Sequence, residues 1–271
     1  MRSISIVPAV LIAFGCGAPA EDRTKVPKAL REQIELAEKK AKDKPDDADA
    51  HGRLGDLYLD ADEPAKAIAA FTAAIDLEPK GVERLRDRRG DAYLFAGEFK
   101  KSVEDYDAYL KAQPDFKPKH WRRGIALYYA GEHKLGVEQF DLHKEPNPED
   151  VENAAWHYLC NVKVVGKEKS QAALIAVTRD PRIPMAQIQK LYAGKLEVKD
   201  VLDAAEKTDA KTGLGVSARF YANLYVALWY EADGDAKKAK EHMTAAVETY
   251  PVTDYMWKVG RAHLELMKAK K

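Results

Sequence analysis

Apolar positions along most of the chain recur at helical spacing, and no stretch alternates as a strand would. Residues 26–42 (VPKALREQIELAEKKAK) predict an amphipathic helix that stops before Pro45. One frame then comes three times. Leu54-Gly55-x-x-Tyr58, Arg89-Gly90-x-x-Tyr93 and Arg123-Gly124-x-x-Leu127 are separated by 35 and then 34 residues. The frames continue with Ala67, Phe71, Ala74 and Pro79; with Ser102, Tyr106, Tyr109 and Pro114; and with Gly136, Phe140, His143 and Pro148. This pattern predicts three helix pairs. Small residues at positions 8 and 20 of each unit belong where the two backbones come closest. Tyr58, Phe71, Tyr93, Tyr106 and Phe140 are expected to fill the wedges between helices. The prolines end the second helices, because the ring lacks an N–H and clashes with the preceding turn. A single pair cannot bury its apolar face alone, so the units must stack.

Downstream the frame persists while the pattern fades. The unit from Val151 carries Tyr158 where a small residue is expected, with Ser170 and Leu174 on its second helix. The unit near Ala186 keeps Ala193 and Ala205, but Gly194 interrupts its first helix, and Asp180-Pro181-Arg182-Ile183-Pro184 breaks the chain between the two. Regularity returns from Phe220, through Ala227, Tyr230, Gly234, Ala239, Met243 and Ala246 to Pro251, and a last helix starts near Asp254. The expected architecture is an all-α superhelix of about six helix pairs. Its parts are a leading cap (26–47), three regular units (48–150), a degenerate stretch (151–219), a restored unit (220–253) and a C-terminal capping helix (254–271).

Residues 1–15 are a different kind of sequence. Arg2 precedes an apolar run from Ile4 to Phe14, too short to span a bilayer and typical of a secretory signal. The run ends Ala13-Phe14-Gly15-Cys16, which resembles the lipobox of bacterial lipoproteins, although Phe14 is larger than usual and Ala13 stands where Leu is commonest. The resemblance implies lipidation (palmitate among the acyl chains) at Cys16, with residues 16–25 as a tether. An ordinary signal cleaved after Ala18 or Ala20 is the alternative. Gly17, in place of Asp, implies the outer membrane by resemblance to lipoprotein sorting.

The three frames resemble the tetratricopeptide repeat. The whole layout, with Leu191-Tyr192-Ala193-Gly194 followed by Val201-Leu202-Asp203-Ala204, resembles the NlpI type of bacterial lipoprotein. That resemblance implies a homodimeric adaptor on the periplasmic side of the outer membrane, gathering peptidoglycan hydrolases and a protease. An assembly factor, pilotin-like or an accessory to outer-membrane protein insertion, is a second reading. A lipid-anchored hydrolase using His143 and His157 is a third.

Charge narrows the partners. The 44 Lys and Arg balance 44 Asp and Glu, which lacks the basic excess that nucleic-acid binding needs. In the repeat frame, Arg53, Arg88 and Arg122 occupy position 6 of successive first helices, facing the inner surface. Asp56, Asp91, Trp121, Tyr128 and Tyr129 fall on the same face, and these eight residues form the candidate groove for a protein or peptide partner. Arg53 and Arg88 each have an aspartate three residues on, so ordinary helix-surface pairing competes with binding there. Arg122 has no such neighbour. Gly52 and Asp56 stand where carboxylate-clamping repeats carry Lys and Asn, which excludes that mode. No histidine spacing suggests a metal site, no phosphate or dinucleotide loop is present, and no cofactor is expected. Cys160, among Trp156, Leu159 and Val162, reads as a small buried hydrophobe. The aromatic cluster Phe220, Tyr221, Tyr225, Trp229 and Tyr230 reads as core, with any exposed part as a dimer surface.

Overall fold

The computed structural model describes residues 26–269, so the signal segment, Cys16 and the tether lie outside the described residues. The regular elements among these residues are all helices, with no strand among them. A leading helix α1 (Lys28–Asp43) precedes three pairs: α2 (Ala48–Asp60) with α3 (Pro64–Leu77), α4 (Glu83–Phe95) with α5 (Phe99–Ala112), and α6 (Trp121–Ala130) with α7 (His133–His143). Then come α8 (Val151–Val165) with the short α9 (Lys167–Ala172), and α10 (Met185–Tyr192) with α11 (Val198–Glu206). The long α12 (Gly213–Asp233) pairs with α13 (Ala236–Thr244), and α14 (Tyr255–Ala269) is last.

Local chemistry sets the helix starts. The Asp47 side chain accepts from Ala50 N, and Asp150, Thr212 and Asp235 cap α8, α12 and α13 in the same way. Pro64 occupies the first turn of α3, where its missing N–H costs nothing.

Within the regular pairs, position 8 makes room for a ring. A Cβ on Gly55 would stand 2.6 Å from the Phe71 ring; on Gly90, 2.6 Å from Tyr106; on Gly124, 2.5 Å from Phe140. The small residue at position 8 is therefore matched to the aromatic at position 24 of its own unit. Position 20 does sit at the backbone approach: Ser102 Oγ donates to Gly90 O at 2.7 Å. Phe71, Tyr106 and Phe140 are fully buried. Tyr93 departs from the wedge role, lying half-exposed with Arg89 and Lys101 over its ring.

The irregular middle is held by individual contacts. Gly166 and Gly194 take positive φ (85° and 68°), where the chain leaves α8 and α10. Arg182 gathers Asp150, Glu152 and Asp180, tying the breaker segment to the start of α8. Tyr158 meets Tyr192 edge-on at 5.1 Å, and Tyr192 donates to Tyr225 O at 2.9 Å. Two aromatic side chains thus replace the expected small residue by packing outward onto α12.

The last helix does more than cap. One face of α14 continues the stack, with Gly260 against Leu224, Val247 and Met243. The other turns back into the concave side of the first three pairs, because the superhelix winds far enough to bring its end over its beginning.

Candidate functional site: the concave groove

The inner surface is built by α2, α4 and α6, which carry position 6 of each regular unit. Asp91 is its centre. Only 1% exposed, it accepts at Oδ1 from Tyr106 (2.7 Å) and Tyr255 (3.0 Å), and at Oδ2 from Arg88 (3.1 Å) and Arg122 (2.6 Å). Four donors fill the lone-pair sites of one carboxylate, which is how a buried charge becomes tolerable. Arg88 also reaches Asp56 at 2.7 Å on the preceding first helix.

Arg122 corrects the expectation that it lacks an acidic neighbour. Its acids come from α4, with Asp87 at 2.6 Å and Asp91 at 2.6 Å, 35 and 31 residues earlier. Burial works to raise the Asp87 carboxyl, but His120 and Arg122 outweigh it and hold it below its ordinary value. Burial likewise opposes the charge on Arg122, and Asp91 foremost restores it and raises the guanidinium.

The aromatic part of the groove is also occupied. Trp121 meets Tyr255 edge-on at 4.9 Å, and Phe95 meets the same ring at 4.8 Å. Tyr129 stacks on Phe99 at 4.8 Å, and its hydroxyl pairs with His263 Nδ1 at 2.8 Å. Tyr128 is buried against Trp156 and faces the next unit rather than the groove. Farther along α14, Lys258 donates to Leu59 O and lies over the Phe95 ring, while Arg261 reaches Asp62 at 2.9 Å. Both cations stand at the carboxyl end of α2, where the helix dipole favours positive charge.

Of the eight candidate residues, Asp56, Arg88, Asp91, Trp121, Arg122 and Tyr129 come together on this inner face. Arg53 is exposed and makes no ion pair among the described residues. Sequence reasoning missed Asp87, Tyr106, Tyr255, Lys258 and Arg261. The spacing of Asp87 and Asp91, one turn apart on α4, was the available signal for the first. For α14 it was the polar run Tyr255, Lys258, Arg261 on a helix otherwise apolar on one side.

No catalytic arrangement is present among the described residues. His143 Nδ1 is bonded to Pro118 O at 3.0 Å, and His157 Nε2 faces Asp141 at 3.4 Å. Cys160 is buried, and burial pushes its thiol up. No cluster of three or more His, Cys, Asp or Glu residues there could hold a metal ion.

Residues 25–82 and 88–151 match the tetratricopeptide repeat family. A tetratricopeptide repeat protein from Parabacteroides merdae is 16% identical, with a TM-score of 0.53; the match covers 88% of this chain and 92% of that one. It extends the likeness of fold past the matched repeats. The C-terminal part of a tetratricopeptide repeat-containing protein from Cytophaga hutchinsonii is 14% identical over 86% of this chain and 94% of that one, with a TM-score of 0.33. No curated protein matches the chain.

Proposed function

We propose that this tetratricopeptide-repeat chain is a non-catalytic adaptor, tethered through lipidated Cys16 to the periplasmic face of a bacterial outer membrane, that gathers polypeptide partners concerned with cell-wall hydrolysis or proteolysis. The carrying observation is that the concave face of the repeats holds a helix, its own α14, through an acid–arginine network and a row of aromatic rings. A surface that accommodates one amphipathic helix has the chemistry of the helix-in-groove mode of recognition. The anchoring half of the reading rests on the lipobox-like junction and on Gly17.

Each half has its own test. Cys16→Ser abolishes palmitate incorporation and releases the chain from membranes; unchanged labelling and fractionation would remove the anchor. For partners, the chain serves as bait on detergent-solubilised envelopes, beside Arg53→Glu. Arg53 is the groove arginine with no structural pair, so its reversal leaves the fold intact. Retention of a peptidoglycan hydrolase or protease by the wild type, and its loss with Arg53→Glu, is expected. Equal retention by both would place recognition off this face.

A further inference from the structure

The seam between α14 and the first three pairs consists of polar and ring contacts. Tyr255 donates to Asp91 at 3.0 Å, and its ring meets Phe95 and Trp121 edge-on. One turn on, Lys258 donates to Leu59 O, and one turn further Arg261 Nη2 donates to Asp62 Oδ1 at 2.9 Å. The fit is imperfect. Arg261 Nε is buried and stands 2.9 Å from Asp62 Oδ2, yet forms no hydrogen bond. Lys258 makes no ion pair among the described residues. Burial pushes its amine down from the ordinary value and the Asp62 carboxyl up, so both charges are held there at a cost.

The groove itself does not depend on this helix. Without Tyr255, Asp91 keeps Tyr106, Arg88 and Arg122, all supplied by the repeats. Asp56 keeps Arg88, and Asp87 keeps Arg122 and His120. What departs with α14 is positive charge. Lys258 and Arg261 would leave behind Asp62 and the carboxyl end of α2, which carries partial negative charge. Residues 250–254, just before α14, are non-helical and supply the hinge. A terminal helix seated on a complete surface through imperfect polar contacts has the features of a unit that opens locally.

We propose that α14 is a resident competitor for the groove, displaced by a partner helix that carries an aromatic residue and then basic residues three and six positions on. That is the pattern of Tyr255, Lys258 and Arg261. The proposal deepens the adaptor reading and rests on the groove being where partners bind. The incoming ring meets Phe95 and Trp121, its hydroxyl or N–H reaches Asp91, and the two cations replace those at Leu59 O and Asp62. Because the groove is open only in the molecules whose α14 is out, a partner's apparent affinity is reduced by that fraction.

The probe is a fluorescein-labelled peptide reproducing residues 252–267, titrated by anisotropy against the full chain. Lys258→Glu with Arg261→Glu in the chain sets acid against acid at Asp62 and drives α14 out. The peptide then binds about tenfold tighter than to the wild type, the gain expected if the groove is closed in about nine molecules of ten. Adding Asp62→Lys to that variant weakens the peptide by about tenfold, the range of a lost charge-assisted hydrogen bond, and so locates it in the groove. Hydrogen exchange gives a reading free of substitutions: excess peptide accelerates exchange of the α14 amides in the wild type and leaves those of α12 unchanged. No acceleration in α14, or a folded Glu variant that binds the peptide no tighter, overturns the proposal. A wild-type dimer that the peptide dissociates gives the seam to a second copy and overturns the separate partner. Neither measurement uses an envelope protein. Their failure beside lost retention in Arg53→Glu would leave the groove as the recognition surface and α14 as a fixed wall. Failure of the groove reading itself appears instead as equal retention by the wild type and Arg53→Glu.

Discussion

In the three regular pairs, Gly55, Gly90 and Gly124 are needed for the space they leave to a ring, whereas Gly166 and Gly194 in the irregular middle are needed for their positive φ. The first requirement couples two positions, the glycine at 8 and the aromatic at 24, so it must recur together in every unit. The second recurs too, at the turn inside the pairs: Asp62, Gly97 and Gly131 of the regular units take positive φ at the repeat spacing, and Gly166 continues the series. The turn rule thus carries on into the middle at Gly166, where Tyr158 stands in place of the small residue that the spatial rule requires. Similarly, the regular half joins neighbouring first helices through repeated inner-face ion pairs, while the middle relies on one arginine, Arg182, with three acids from two segments.

The largest expected effect lies in the regular half. Arg122→Ala leaves Asp87 and Asp91 without their shared cation and should cost about 3 kcal/mol in urea unfolding, the low end for a broken buried pair because Asp91 keeps Arg88 and two hydroxyls. A loss below about 1 kcal/mol would mean the pair behaves as a surface contact. Gly124→Val should cost about 2 kcal/mol through overpacking, since its Cβ would meet Phe140 at 2.5 Å. Adding Phe140→Leu should recover part of that loss, a coupling that a double-mutant cycle measures. Gly194→Asn should stay within about 1 kcal/mol, because asparagine tolerates the left-handed region. Equal losses at both glycines would erase the distinction drawn between the halves.

The smallest effect is one of slope. Burial pushes the Glu152 carboxyl up to about 7, opposed by Arg182 and the Tyr225 hydroxyl. With a folded value above the unfolded value of 4.5, the native state holds the extra proton between the two. This contribution is therefore favourable below 4.5 and is lost as pH rises towards 7. Stability measured from pH 4.5 to 7 should fall less steeply in Glu152→Gln than in the wild type. Asp87 acts in the opposite sense: its carboxyl is lowered, so its contribution is complete above 3.8 and is lost as pH falls below that.

The same contrast explains what was legible beforehand. The three pairs, their boundaries near Pro79 and Pro114, and the buried rings Phe71, Tyr106 and Phe140 could be read from repetition alone. The all-α class and a distinct last helix were equally plain. The groove was half-legible. Its arginines were found because they recur, but the acids holding Arg122 come from another helix, and one-dimensional spacing says nothing about neighbours 31 and 35 residues away. Tyr128 and Tyr129 are adjacent in sequence and both reach Trp156, yet Tyr129 also meets Phe99 and His263, since consecutive residues diverge by about 100° around a helix. The return of α14 into the groove depends on the summed twist of six pairs, a quantity no local pattern records.

That return has a consequence for how the molecule is made. Lys258 meets Leu59, and Arg261 meets Asp62, across 199 residues of chain. Each helix pair can form from neighbours in sequence as it is synthesised, whereas the clasp over α2 must wait for a segment produced far later. Contacts of such separation slow the final step of folding. Until then the inner charges and rings that α14 covers stand open to the surroundings.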